Sequence, residues 1–354
     1  MRSQITSFRI ATTFIGTVLG AGFASGQEIL QFFGFFGRSG ILALALTTVL
    51  FVFFGTIILD LGYCLRARSY LEIISHLAGV RLSRLVDRVI AFFLFGTLSI
   101  MVAGSGAIFA EQFRLPDFWG SLLLAAAASS TVLFGMAGVI SAMGTIIPLL
   151  LFFIMAIGLG TLMHGFNALT SASTAQPHLA PVSFWPFSSL LYASYNLTTG
   201  VAILAPLGGM VKPGLIRKGV ALGSLGIGAS ALAILLGILI HYPQVRNCQI
   251  PMLYIAGQLF PPAQALYSLV LLAGMYTAAV ACLYGFAARW SSPFLGTRFK
   301  WLVIVSSAIA FIAAQAGFST LVRYLYPLSG LAGLFLLAGL TYHYLKRNIR
   351  ALNS

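Results

Sequence analysis

Ten long apolar segments divide the sequence, and this pattern leaves one broad class of fold open. Charged residues make up only 7% of the chain, whereas soluble domains usually carry about 25%. Each segment is long enough to cross a hydrocarbon layer of about 30 Å as a helix. We therefore predict an all-α integral membrane protein with ten transmembrane helices. The segments span residues 8–36, 40–64, 86–113, 118–135, 138–165, 187–208, 218–240, 263–289, 300–317 and 321–345.

The basic residues predict the orientation of these helices. When the N-terminus is placed inside, only four of the twenty Lys and Arg residues lie outside or near the outer edge, namely Arg38, Arg114, Arg246 and Arg323. The other sixteen lie inside, which is the bias that the positive-inside rule describes. The net charge of +14 therefore reflects membrane topology. We expect a lipid bilayer as a partner and no nucleic acid.

The segments divide into two halves of five, at residues 1–165 and 187–345. Because five is odd, the second half enters the membrane from the opposite side, as an inverted repeat requires. Residues 166–186 form the predicted outer linker, and 346–354 a cytoplasmic tail. In each half the longest connection follows the second segment, and both connections, 65–86 and 241–262, are long enough for a short interfacial helix.

The first segment contains a polar, glycine-rich stretch at mid-membrane depth, residues 20–28 (GAGFASGQE). Its three glycines weaken a helix, since each costs about 1 kcal/mol relative to alanine. Close packing of two helices is the other common role of such glycines. Unwound backbone inside a membrane is tolerated where it lines a polar cavity, so we predict a broken helix that forms a solute or ion site.

The sixth segment carries a matching polar stretch, residues 192–200 (YASYNLTTG). An inverted repeat places this stretch opposite the first break, so we predict that the sixth helix is broken as well. The alternative is that its Ser and Thr hydroxyls bond to their own helix and that its tyrosines pack at an interface.

Part of the first segment resembles a known family signature. Residues 16–22 (GTVLGAG) are similar to the first-helix motif of permeases in the amino acid/polyamine/organocation superfamily, and residues 14–29 are more similar to YkvI-type bacterial membrane proteins, distant members of that group. The resemblance implies a LeuT-type five-plus-five inverted-repeat bundle with helices 1 and 6 broken. It also implies alternating access to a solute site between them, against helices 3 and 8. We accordingly expect a multi-pass protein of the bacterial inner (plasma) membrane with both termini in the cytoplasm.

The implied solute site draws on four helices. Helices 1 and 6 supply the two polar stretches, helix 3 supplies a small polar residue, and helix 8 supplies a tyrosine. The candidate solute-binding residues are Gly20, Ala21, Gly22, Phe23, Ala24, Ser25, Gly26, Ser105, Tyr192, Tyr195, Asn196, Thr198, Thr199, Gly200 and Tyr276.

A sodium site is implied more weakly. Thr277 lies where sodium-coupled relatives carry a hydroxyl ligand, and the carbonyl groups of Gly20 and Phe23 would complete the set. The residue after Thr277 is Ala278, so the paired hydroxyls of those relatives are missing. No metal site is otherwise predicted, and the possible coupling ions are H⁺ and Na⁺.

Glu28 is the strongest candidate for coupling. A carboxylate inside a membrane costs at least a few kcal/mol unless it faces a partner or water, so it is a functional candidate by default. Glu28 can exchange a proton, bind the ammonium group of a substrate, or close an outer gate with Arg323. An interfacial position of Arg323 is the alternative to the gate.

These features predict a secondary active transporter, an ion-coupled symporter of a small amino acid or amine. Helix ends favour a carboxylate, whereas Glu28 and the aromatic Phe23, Tyr192 and Tyr195 favour an amine. A non-transporting receptor or sensor, or a channel on the same scaffold, is the alternative. We do not predict an enzyme or a cofactor, because the sequence has no Walker loop, HExxH, GxSxG or CxxC motif.

Overall fold

The first apolar segment is interrupted twice. The computed structural model describes residues 6–67, 69–134, 137–170, 175–290 and 297–352. In it the first segment consists of helices α1 (Ser7–Val18), α2 (Ala21–Ala24) and α3 (Gln27–Phe32), followed by a 3₁₀ turn at Gly34–Phe36. The prediction that helix 1 is broken is confirmed.

The described remainder of the chain is also helical and contains no strand. In chain order the helices are α4 (Ser39–Leu65), α5 (Tyr70–Phe113), α6 (Asp117–Phe134), α7 (Ala137–Thr170), α8 (Trp185–Met210), α9 (Pro213–Ile240), the short α10 (Tyr242–Val245) and α11 (Pro251–Leu259), α12 (Pro261–Trp290), α13 (Thr297–Ala314) and α14 (Phe318–Leu352). Nine of them, all but α10 and α11, are long and apolar enough to cross a membrane. With the interrupted first segment they form an all-α, multi-pass membrane bundle.

The sixth segment differs from its prediction, because α8 runs without interruption from Trp185 to Met210. Its polar side chains bond to their own backbone. The Thr198 hydroxyl donates to the Ser194 carbonyl (2.8 Å), and the Asn196 amide donates to the carbonyl four residues earlier (2.9 Å). The stretch also contains one glycine where the first segment has three, so its helix loses little stability. The prediction of a broken helix 6 was wrong.

Helix α8 lies at the centre of the bundle, between α4 and α14. Its Ser189 hydroxyl donates to the Ala43 carbonyl of α4 (2.9 Å), and its Ser194 hydroxyl donates to the Gly330 carbonyl of α14 (2.8 Å). These bonds use part of the polar stretch for helix packing. Helices α6, α7 and α13 are the least buried and expose apolar side chains, as helices at a lipid boundary do.

Both long connections are helical, but only the outer one contains separate short helices. The outer one, 241–262, holds α10 and α11. The inner one, 65–86, is helical from Tyr70 and continuous with α5. The Tyr70 hydroxyl nevertheless lies 3.1 Å from Asp87 Oδ1. Since a straight helix would separate two residues at this spacing by about 25 Å, α5 bends back between them.

An arginine from α12 fastens this bend. Arg289 Nη1 lies 2.8 Å from Asp87 Oδ1, and its Nη2 donates to the Tyr70 hydroxyl (2.8 Å). Burial raises the pKa of Tyr70, so the hydroxyl stays protonated and donates to Asp87. The three side chains form what we call the inner clamp, which ties the connection to α12.

We expect the Arg289→Gln variant to lose about 1 kcal/mol of unfolding free energy, because the half-exposed ion pair and its hydrogen bonds are partly screened by water. Thermal unfolding in detergent measures the loss, and a double-mutant cycle with Asp87→Asn isolates the pair. Arg298→Gln, an exposed arginine at the start of α13, is the matched control. Strictly additive effects in the cycle would show that the clamp contributes nothing.

Candidate functional site

The first break lies at Leu19 and Gly20. Gly20 has an extended backbone (φ −112°, ψ −179°), and its N–H donates to the Val18 carbonyl, which ends α1. Helix α2 then starts at Ala21 but lasts only four residues. The chain thus leaves helical geometry inside the bundle, with all of α2 buried.

The second break lies at Ser25 and Gly26. Gly26 has a positive φ of +81°, which favours glycine, and a Cβ there would lie 2.8 Å from the Met252 side chain. The Ser25 hydroxyl donates to the Gly22 carbonyl (2.6 Å) and accepts the Gln27 N–H (3.1 Å). The serine therefore replaces part of the missing helical hydrogen bonding at this break.

Two neighbouring elements complete the second break. The Tyr267 hydroxyl of α12 donates to the Ala24 carbonyl, and the Met252 N–H of α11 donates to the Ser25 carbonyl (3.1 Å). The polar backbone atoms that the sequence predicted are present. In this conformation, however, the carbonyls of Ala24 and Ser25 already accept hydrogen bonds from other groups of the protein.

The outer connection is held over this break from two sides. Glu111, near the end of α5, accepts hydrogen bonds from the backbone N–H groups of Gln249 (2.7 Å) and Ile250 (3.3 Å). The Gln249 side chain accepts the Phe318 N–H at the start of α14 (2.9 Å). Burial and the nearby Glu111 charge raise the pKa of the Cys248 thiol in this connection to about 11, so the thiol stays protonated.

Glu28 lies beyond the second break, in the first turn of α3, and is only 5% exposed. The Tyr195 hydroxyl donates to its Oε2 atom. The hydroxyls of Tyr326 and Tyr192 lie beside the same carboxyl group. We call these three residues the tyrosine cage. It joins α3 to α8 and α14.

Aromatic packing holds the tyrosine cage in place. The rings of Tyr195 and Tyr326 are stacked with centroids 4.8 Å apart and planes 4° apart. Tyr192 meets Tyr195 edge-on at 5.3 Å, and its other side packs on Phe33 at 4.9 Å. The carboxyl group therefore has a rigid, largely aromatic surround.

Gly22 lets the carboxyl group approach the backbone. A methyl group at this position would collide with Glu28 Oε1 and would lie 3.0 Å from the Tyr326 hydroxyl. The glycine-rich stretch thus touches Glu28 directly, which links the first break to the tyrosine cage.

Three buried polar atoms on or beside α3 have no hydrogen-bond partner. They are Gln27 Oε1, Gln31 Oε1 and the Tyr192 hydroxyl, which lies near Glu28 but makes no hydrogen bond of normal geometry. Buried polar groups are normally paired, so these three atoms are candidates for contact with a bound solute. Two of the three are amide oxygens and need a hydrogen-bond donor.

Several predicted residues lie outside this cluster. The Ser105 hydroxyl donates to the Gly120 carbonyl of α6 (2.9 Å), and the Tyr276 hydroxyl bonds to Thr131, also on α6. Thr199 bonds to its own helix, and Gly200 faces Thr17 of α1. In this conformation all four serve helix packing or backbone pairing.

The weak sodium candidates are also engaged. The carbonyls of Gly20 and Phe23 accept the N–H groups of Ala24 and Gly26, and the Thr277 hydroxyl donates to the Gly274 carbonyl (3.0 Å). A second lone pair on each carbonyl leaves coordination chemically open. The sodium site stays a prediction.

The predicted gate between Glu28 and Arg323 is not formed in this structure. The groups that interact with Glu28 are the three tyrosines, and no ion pair joins it to Arg323. Tyr326, one helical turn further along α14, holds the position that the arginine was predicted to take. Arg323 lies partly buried near the start of that helix instead.

Tyr326 is the site residue that sequence reasoning missed. Its signal was an aromatic hydroxyl directly before Pro327, inside an apolar segment. A tyrosine in such a segment needs a polar partner for its hydroxyl. The sequence did not show that this partner would be Glu28.

Comparison with solved structures shows a LeuT-type fold, although α8 is continuous where a broken sixth helix was expected. The chain matches solved structures of that fold, with low sequence identity. It aligns with the inward-facing conformation of Mhp1 (TM-score 0.56, 14% identity, 93% of this chain and 74% of that one) and with MhsT in complex with L-phenylalanine (0.56, 16%, 90% and 80%). It also aligns with the manganese transporter of Eremococcus coleocola (0.58, 13%, 95% and 78%).

Two curated proteins of Bacillus subtilis (strain 168) are similar over nearly the whole chain. The uncharacterized membrane protein YkvI is 28% identical over 342 residues, covering 96% of both chains. The uncharacterized protein YyaD is 29% identical over 333 residues, covering 91% of this chain and 92% of its own. No protein-family model matches the chain. The resemblance to YkvI-type proteins with a LeuT-type fold is confirmed.

Proposed function

We propose that the protein is a secondary transporter of a small amine-bearing solute, either an amine or an amino acid, and that Glu28 couples transport to protons. One observation carries this proposal. Among the described residues, Glu28 is the only Asp, Glu, Lys, Arg or His whose side chain is buried. It lies where an interrupted helix meets two continuous helices, which makes its surroundings sensitive to relative helix movement.

The surroundings of Glu28 support an amine as the recognised group. A carboxylate bordered by aromatic rings attracts a cation through charge and through the faces of the rings. Helix α3 also carries two buried amide oxygens without a partner, on Gln27 and Gln31, and each can accept a hydrogen bond from a donor. The structure of MhsT with L-phenylalanine supports an amino acid as one form of this solute.

The same geometry supports protons over sodium. Glu28 has hydroxyl neighbours that can pair with either its charged or its neutral form. A sodium site would have Thr277 as its one hydroxyl ligand, because Ala278 follows it in the sequence. Alternating access requires the closed surroundings of Glu28 to open to one side at a time. The positive-inside bias supports cytoplasmic termini, and the relatives in Bacillus subtilis support a bacterial inner (plasma) membrane.

Uptake by the full-length protein in liposomes tests this proposal. We expect an inward proton gradient to drive accumulation of one or more labelled amines or amino acids without sodium. The same solutes should raise the thermal unfolding temperature of the purified protein. Accumulation driven only by sodium would contradict proton coupling. No accumulation of any amine or amino acid under either gradient would contradict the transporter.

A further inference from the structure

A groove between α5 and α14 lies apart from the tyrosine cage. Its volume is about 410 Å³, and it is open along one side. The lining residues that matter here are Arg88 and Phe92 on α5, and Leu328, Leu331, Ala332 and Phe335 on α14.

The walls of the groove face lipid. On α14 the lining residues recur every three or four positions, so they form one face of the helix. Leu328 is 51% exposed and Phe335 is 74% exposed, although both lie within the apolar span 318–346. In a bilayer this apolar groove is covered by hydrocarbon chains.

One end of the groove is cationic. Arg88 is exposed and lies at the first turn of the span Asp87–Phe113, which places it at headgroup depth. Its sequence neighbour Asp87 is already paired with Arg289 in the inner clamp, so that acid is engaged elsewhere. The same helix carries Arg81 and Arg84 in sequence. A guanidinium with this freedom binds a phosphate through paired hydrogen bonds.

We propose that this groove binds an anionic phospholipid, with the phosphate at Arg88 and one acyl chain along the apolar face of α14. The headgroup matches the cationic end of the groove, because a basic residue beside a cleft between helices selects anionic headgroups. The acyl chain matches its apolar walls. The groove also includes Ser329, which directly precedes Gly330, the residue whose carbonyl accepts the Ser194 hydroxyl. A bound lipid would therefore support the helix that presents Tyr326 to Glu28.

Binding of phosphatidylglycerol to the purified full-length protein tests this site, with phosphatidylcholine as the neutral comparison. Native mass spectrometry counts retained lipids, and thermal unfolding measures the stabilisation that each lipid gives. We expect phosphatidylglycerol to be retained and to stabilise more than phosphatidylcholine. In the Arg88→Gln variant its apparent affinity should fall about fivefold, as the loss of one basic residue at a membrane surface predicts.

Two further variants make the test specific. Ala332→Trp places a large ring in the groove and should remove the preference for phosphatidylglycerol while Arg88 is intact. Arg298→Gln removes an exposed arginine outside the groove and should leave the preference unchanged. Equal effects of the two lipids on the unmodified protein would overturn the proposal. So would an equal loss in Arg298→Gln and Arg88→Gln, because binding would then follow overall charge.

Discussion

The Glu28→Gln variant is expected to lose uptake driven by a proton gradient, to the level of empty liposomes, while its thermal unfolding temperature stays equal or rises. Glutamine has the same size and can still accept the Tyr195 hydroxyl through its amide oxygen. Its amide does not gain or lose a proton near neutral pH, so coupling ends. A neutral amide also costs less to bury than a carboxylate, which protects the fold. Uptake and unfolding measured on the same preparation check both halves of this result.

Exchange experiments separate the two roles that Glu28 can have. If it carries only the proton, Glu28→Gln should still exchange labelled for unlabelled solute, since exchange needs no net proton movement. If it also holds the amine, exchange should fail and the solute should no longer stabilise the protein. Glu72→Gln, which changes an exposed carboxylate, is the matched control and should behave like the unmodified protein. Normal gradient-driven uptake by Glu28→Gln would refute any coupling role.

The Gly22→Ala variant is expected to lose about tenfold or more of its uptake rate, because displacing a reacting group by about 1 Å can cost up to a hundredfold. The added methyl group would occupy the position of Glu28 Oε1 and crowd the Tyr326 hydroxyl. The carboxyl group can move only by leaving its hydroxyl partners. Stability should also fall, because the helix gain of alanine, up to about 1 kcal/mol, offsets only part of the cost of separating a buried carboxyl group from its partners.

Gly16→Ala is the matched control for this prediction. It makes the same substitution within α1, where the new methyl group would lie 3.8 Å from the Ile147 side chain, an ordinary contact. We expect normal uptake and equal or higher stability. Equal losses in both variants would show that the segment needs flexible glycines in general. Normal uptake in Gly22→Ala would show that the position of the Glu28 carboxyl group is not critical.

The sequence predicted the architecture well because the membrane imposes simple, local requirements. Segment lengths follow from bilayer thickness, and the short helices in the connection 241–262 follow from its length and composition. The break at residues 20–26 was predictable because glycine weakens a helix regardless of its neighbours. Glu28 stood out because a membrane carboxylate is costly wherever it lies.

The error on the sixth helix shows the limit of that reasoning. Its hydroxyls and its amide looked like those of a site, but Asn196, Thr198 and Thr199 bond to their own helix, and Ser194 bonds to α14. The sequence shows that a hydroxyl is present, but it does not show whether the hydroxyl binds a ligand, its own backbone or a neighbouring helix. Ser105 and Tyr276 illustrate the same ambiguity, since both bond to α6.

Length, hydropathy and the positions of glycines and charges were enough for the multi-pass helical class, the first interruption and the acid at its end, because each is a property of single segments. The choice of Tyr326 over Arg323 as a neighbour of Glu28, the continuity of α8 and the groove beside Arg88 were not available from the chain alone. They depend on how each helix is rotated and on which side chains meet across helices. Those contacts are decided by packing among residues far apart in the sequence.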